Sequence, residues 1–338
     1  MTLKSKPPEG SRPVSALGPW LRSLWSFSRP HTIIGTSLSV VGLAVMALAL
    51  TPSLPAWTPA LSEGPPWTLN VMLLAIGSAL IPSLCANVYI VGLNQLTDID
   101  IDRINKPQLP LASGQFSPRE GRWIVLILGG LALLMAMVQG PILLGTVLLS
   151  MVIGTVYSLP PFRLKRFPFW AALCIFGVRG LVINLGFFVH FRQQIQSASA
   201  PWDWSPDLPP ELWALTLFVV LFALAIALFK DIPDAEGDRQ FQIRTLTVRL
   251  GPEFVFGLSR WVLTLSYGLL VGLTLGGLLP SVQTLFLVVV HLGLLGIMWG
   301  MSFQVDLRER SQISRFYQLV WRLFFFEYIL FPLACVMG

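Results

Sequence analysis

The sequence predicts an all-α, polytopic membrane protein that crosses the bilayer nine times. Three observations carry this. The 338 residues are 54% hydrophobic and only 12% charged, with a mean hydropathy of +0.70, a composition outside the range of soluble globular domains. Nine apolar stretches approach the roughly 20 residues that span a hydrocarbon core: 32–51, 71–96, 123–139, 141–158, 168–190, 211–229, 257–279, 282–302 and 317–337. Finally, 21 of the 23 lysines and arginines precede the first span or lie after spans two, four, six and eight, with only Arg179 (inside span five) and Arg192 (after it) elsewhere. Nine crossings put those 21 on one side, and the positive-inside rule makes that side, with the N-terminus, cytoplasmic.

Residues 1–30 contain Pro7, Pro8 and Pro13 among polar residues and are read as a cytoplasmic tail. The first span is too long for a signal-peptide core, and nothing resembles a Ser- and Arg-rich transit peptide. Residues 31–338 form a single membrane domain. Segments 52–70 and 199–210, with Trp57, Trp67, Trp202 and Trp204 among prolines, read as interfacial loops on the outer face. The net charge of +6 is spread over loops next to spans. It therefore meets the lipid bilayer rather than nucleic acid. Cys85, Cys174 and Cys335 stand alone within apolar spans, and His31, His190 and His291 have no metal-ligand spacing, so neither a disulfide framework nor zinc is expected.

Two acid-rich segments end spans two and six: Asn94-Gln-Leu-Thr-Asp98-Ile-Asp-Ile-Asp102 and Lys230-Asp231-Ile-Pro-Asp234-Ala-Glu-Gly-Asp238. On a helix, Asn94, Asp98 and Asp102 recur at i, i+4 and i+8, and Asp231, Asp234 and Asp238 at i, i+3 and i+7, so each trio is expected to form one stripe. Asp100 and Glu236 fall off the stripes. Clustered hard oxygens suit Mg²⁺, which keeps several waters and shares its coordination with substrate phosphates. Basic residues flank both trios: Arg29 at the head of span one, Arg103 and Lys106, then Arg163, Lys165 and Arg166 after Tyr157, and Lys230. Such groups neutralise phosphate oxygens. Acids, bases and an apolar interior together fit an isoprenoid diphosphate. A cation-coupled secondary transporter is the rival reading, and it requires polar residues along a route to the outer face.

These motifs resemble the UbiA superfamily of intramembrane aromatic prenyltransferases. Asn94-Gln-x-x-Asp98-x-x-x-Asp102 is similar to its first acidic motif and Asp231-x-x-Asp234-x-x-x-Asp238 to its second. Arg29-Pro-His-Thr32 and the run from Tyr157 to Arg166 stand where that family places basic phosphate ligands. The likeness covers residues 25–338. It implies nine helices around a central cavity, with Asn94, Asp98, Asp102, Asp231, Asp234 and Asp238 as Mg²⁺ ligands and catalytic groups. Arg29, Lys106, Tyr157, Arg163 and Lys165 become diphosphate contacts. The strings LNQLTDIDIDRINKPQLPLASG and FKDIPDAEGDRQ, with Val178-Arg179-Gly180-x-x-Ile183-Asn184-x-Gly186, are most similar to homogentisate prenyltransferases. That implies joining homogentisate to phytyl diphosphate with loss of carbon dioxide and diphosphate, giving the methyl-phytyl-benzoquinol of tocopherol synthesis in a bacterial photosynthetic membrane, thylakoid or plasma. A solanesyl donor, or another quinone or chlorophyllide acceptor, keeps the same chemistry.

Arg179 is a strong base within a span, a placement that usually means a cavity or a partner. Two readings are open: a structural pair with Glu327, or, with Asn184, a grip on the homogentisate carboxylate. Tyr157 is either an interfacial aromatic or a diphosphate contact.

Overall fold

The computed structural model describes residues 17–51, 69–196, 208–241, 243 and 245–338. Lys4, Lys6, Arg12, Arg244, Trp57, Trp67, Trp202 and Trp204 lie outside the described residues, so the readings placed on them stay at the level of sequence. In chain order the helices are α1 (Leu17–Phe27), α2 (Pro30–Ala49), α3 (Leu69–Thr97), α4 (Ile99–Asn105), α5 (Pro118–Gln139), α6 (Pro141–Ser158), α7 (Pro168–Phe176), α8 (Ile183–Gln196), α9 (Pro210–Gln240), α10 (Leu246–Leu250), α11 (Pro252–Leu275), α12 (Thr284–Ser302) and α13 (Arg310–Met337). Nine helical segments among the described residues are long and apolar enough to cross a membrane: α2, α3, α5, α6, the continuous 168–196 segment, α9, α11, α12 and α13. Within lipid every backbone polar group needs a partner inside its own segment, which helices supply.

Six spans start on proline, at Pro30, Pro118, Pro141, Pro168, Pro210 and Pro252. There the fixed φ is already helical and the missing N–H needs no acceptor. Ser117 adds a capping box at α5: its hydroxyl accepts from Glu120 N (3.2 Å) and Glu120 Oε2 accepts from Ser117 N (2.8 Å). The fifth span is not uniform. Between α7 and α8, residues 177–182 form a π-helical stretch that carries Arg179.

The spans pack in a ring. α2 meets α3 and α13, α3 meets α5 and α6, α6 meets α8, the fifth span meets α9, and α9 meets α11 and α13. α9 is the central strut, lined by buried Leu215, Phe218, Phe222, Phe229 and Ile232. Phe222 stacks on Phe324 of α13 (5.7 Å between centroids) and edge-on to Tyr267 of α11 (6.1 Å). Because lipid is as apolar as these side chains, such packing holds the helices together in place of water exclusion. α12 buries only Leu287, His291, Met298 and Ser302.

α1 lies within the described part of the 1–30 tail. Phe27, fully buried, packs edge-on to Phe116 (5.8 Å), and Trp20 lies 6.0 Å from the same ring. This contact folds the 106–117 loop beneath α1. One expectation needs correction: the acidic ends differ from a pair of simple helical stripes. α3 stops at Thr97, Asp98 takes a non-helical conformation (φ −122°, ψ 18°) and α4 begins again at Ile99. The second trio does stay on one helix, since α9 runs through Pro233 to Gln240 where the sixth apolar stretch ended at 229.

Candidate active site at the acidic mouth of the bundle

The helix break at Asp98 follows from the bases around it. Arg163 Nη2 donates to Thr97 O (3.1 Å) and to Asp98 Oδ1 (3.3 Å), while Lys165 Nζ donates to Thr97 Oγ1 (2.8 Å) and Asp98 Oδ2 (2.7 Å). Cations at the carbonyl end of a helix are favoured by its dipole. They come from the α6–α7 connection, where Arg163 adopts a left-handed φ of 41°. Arg29, the other left-handed non-glycine (φ 53°), precedes α2 and sends Nη2 toward Asn94 Oδ1 at 3.5 Å. Both strained residues are basic and sit at the site, where such strain tends to concentrate.

The two acidic segments meet. Lys106, just after the first trio, forms an ion pair with Asp234 of the second. Lys230 Nζ donates to Asp231 Oδ1 (2.8 Å). Asn105 locks the junction: its Oδ1 accepts from Gly237 N (3.1 Å), and its carbonyl accepts from Arg310 Nη2 (2.6 Å) at the start of α13. A Cβ on Gly237 would lie 2.4 Å from Asn105 Oδ1, so only glycine permits this approach. Gly237→Ala is therefore expected to cost about 1–3 kcal/mol of overpacking, read as a lowered melting temperature in detergent. Asn105→Ala added to it should restore part of that loss, as contacting pairs couple.

Asp102 is 5% exposed and its Oδ2 has no hydrogen-bond partner. Burial raises its pKa to about 6, Arg29 and Lys106 oppose that rise, and Asp98 and Asp234 add to it. Burial likewise lowers Lys165 to about 8, against the pull of Asp98. Among the described residues no three His, Cys, Asp or Glu side chains already converge as a metal cage. Instead Asp98, Asp231 and Asp234 are each held by a lysine.

Beneath this mouth lies a cavity of about 270 Å³. Arg29, Asn94, Tyr157 and Lys230 line it at the acidic end, and Ile90, Val147, Ile153, Val178 and Ile226 form apolar walls. Arg179 projects into it from the π-helical stretch, its guanidinium stacked over Trp321 (5.0 Å) and Phe324 (5.3 Å). His31 packs against the same Trp321, its ring tilted by 59° with centroids 4.8 Å apart. The suggested Arg179–Glu327 pair does not form, because Glu327 is buried against His291 (3.0 Å). Asn184 also departs from expectation. It is fully buried, its Oδ1 accepts from Tyr328 OH (2.6 Å), and it does not line the cavity.

Sequence reasoning missed several groups. Thr97 and Asn105 lie inside the quoted motifs, but their roles depend on Lys165 and Gly237. Gln95 turns away from the acids, and its Nε2 donates to Phe27 O (2.7 Å). It thereby fixes the turn that aims Arg29, a task that needs an amide donor.

An acid-and-base mouth over an apolar cavity inside a helical bundle defines a membrane-embedded site for an amphiphile with an anionic head. Residues 38–327 match the UbiA prenyltransferase family, and the chain belongs to that family. It is 46% identical, over 93% of this chain and 96% of the other, to a homogentisate phytyltransferase of Synechocystis sp.. It is 36% identical to a homogentisate solanesyltransferase of Arabidopsis thaliana, over 91% of this chain and 75% of the other. The fold is shared with a UbiA homolog from Archaeoglobus fulgidus bound to GPP and Mg²⁺ (TM-score 0.58, 18% identity, 94% and 100% coverage). It is also shared with the apo form of a UbiA homolog from Aeropyrum pernix (TM-score 0.59, 18% identity, 89% and 97% coverage).

Proposed function

We propose that this protein transfers the phytyl group of phytyl diphosphate to homogentisate, releasing carbon dioxide and diphosphate and giving the methyl-phytyl-benzoquinol of tocopherol synthesis. The Lys106–Asp234 ion pair carries the geometric side of this reading, since it joins both acidic motifs over one cavity mouth. The substrates follow from relatives named as homogentisate phytyltransferases. The lining reaches no farther from the mouth than Ser39, Ser83, Thr146 and Phe187, short of the opposite ends of their spans, which supports an enzyme over a transporter.

The donors at the mouth fit Mg²⁺. Asn94, Asp98, Asp102, Asp231, Asp234 and Asp238 offer only hard oxygens, and the unpartnered, buried Oδ2 of Asp102 is an acceptor awaiting a cation. When bound, the metal carries the charge of the departing diphosphate. Arg29, Lys106, Tyr157, Arg163 and Lys165 are the donors for the remaining phosphate oxygens. Lys106, Arg163 and Lys165 are held beside these carboxylates, from where they would reach phosphate oxygens. Arg179 takes the homogentisate carboxylate through its planar fork, with Trp321 and His31 stacking beside the aromatic ring. Asn184 acts from behind the wall by holding Tyr328. The acidic mouth faces the cytoplasm of a bacterial photosynthetic membrane, as the distribution of basic residues supports.

Purified protein supplied with Mg²⁺, phytyl diphosphate and homogentisate should release diphosphate and form a product of the expected mass. Absence of that product with this donor and acceptor rejects the assignment. A pH effect follows from Asp102. Its carboxyl is protonated below about 6, and a metal must displace that proton. The Mg²⁺ concentration for half-maximal activity should therefore climb as pH falls below about 6, by up to about tenfold per unit. A requirement that stays flat from pH 7 to 5 would remove Asp102 from the metal set.

A further inference from the structure

Toward the end opposite the acidic mouth, the cavity stops at packed side chains. On α2, α3 and α6 its deepest lining residues are Ser39, Ser83 and Thr146, ten or eleven residues from Arg29, Asn94 and Tyr157 at the mouth. At 1.5 Å per residue that is a depth of about 15–17 Å, close to half of a ~30 Å hydrocarbon core. Phe187 of α8 completes the layer. One turn deeper, Leu43, Ala79, Leu143 and Phe191 are 0–2% exposed and belong to one packed core. Gly186 draws α8 against α6, since a Cβ there would lie 2.2 Å from Thr146 Oγ1. The floor makes no polar demand. Ser39, Ser83 and Thr146 donate their hydroxyls to Gly35 O, Ala79 O and Ile142 O of their own helices at 2.6–2.8 Å, which leaves them compatible with hydrocarbon.

We infer that the layer of Ser39, Ser83, Thr146 and Phe187 is a floor for the isoprenoid tail, and that Phe187, its one bulky member, sets the donor length. This rests on the proposed function, in which a diphosphate is held at the mouth and its tail points inward. A tail that outgrows the cavity meets Phe187 and the packed layer below, so selectivity against longer donors is steric. Shortening Phe187 opens the gap toward Phe191 on the same helix face.

The test is competition for labelled phytyl diphosphate on the full-length purified protein with Mg²⁺, using solanesyl diphosphate as the longer competitor. Phe187→Ala should raise the affinity of solanesyl relative to phytyl diphosphate by about tenfold, the scale on which apolar pockets discriminate chain length, with Phe187→Leu between it and wild type. Ser83→Leu, which raises the floor, should shift preference the other way, toward geranyl diphosphate. An unchanged ratio in a folded Phe187→Ala protein overturns the floor. If that variant does not fold, an unchanged preference in Ser83→Leu does so. A wild-type protein that binds no phytyl diphosphate sinks the proposed function and the floor together, whereas normal binding with unmoved ratios sinks the floor alone.

Discussion

Asp102→Asn should reduce turnover by on the order of 10³-fold, the several kcal/mol that a metal contributes to departing charge at about 1.36 kcal/mol per factor of ten. The same substitution should leave the melting temperature of the substrate-free protein unchanged or raise it. Asp102 is buried and one of its oxygens has no partner. Without metal its charge is a burden, which is why its carboxyl titrates near 6. An amide of the same shape removes that burden and with it the proposed metal ligand. Activity and stability thus move in opposite directions, as expected of a residue kept for function. A parallel loss of both would identify Asp102 as a structural carboxylate. The measurement is the diphosphate release rate alongside thermal unfolding in detergent.

Arg179→Lys should raise the KM for homogentisate roughly 10- to 150-fold, from the 1.5–3 kcal/mol of a hydrogen bond to a charged group, while the KM for phytyl diphosphate changes little. Lysine keeps the charge but loses the fork proposed to meet both carboxylate oxygens. It also loses the flat face that stacks on Trp321 and Phe324. The separation of the two KM values is the diagnostic, because a disturbed bundle would weaken both substrates. An unaltered KM for homogentisate takes Arg179 out of the acceptor site.

Much of this arrangement could be read from residue order. Hydropathy located the nine spans because each is a local composition, and the six prolines at helix starts act locally as well. The acidic trios were legible as hard-oxygen clusters for the same reason. Their stripe geometry was half right. The second trio stays on α9, but the first is split at Asp98 because Arg163 and Lys165, more than 60 residues away, bind the end of α3. Arg179 shows the same limit. Sequence marked it as a buried base needing a partner, and Glu327 was a reasonable candidate until the fold gave that carboxylate to His291. Asn184, adjacent in the motif, points into the bundle because Tyr328 claims it.

The sequence alone determined the nine candidate spans found among the described residues and the grouping of acids with bases, from which the proposed hard-ligand, anion-binding chemistry is read. These depend on composition and on spacing within a turn or two of helix. Only the tertiary structure decided that Lys106 reaches Asp234 across 128 residues, that Gly237 makes room for Asn105, and that Phe187 lines the deep part of the cavity. Those are distances between helices, set by how side chains pack around the ring, and no local pattern encodes them.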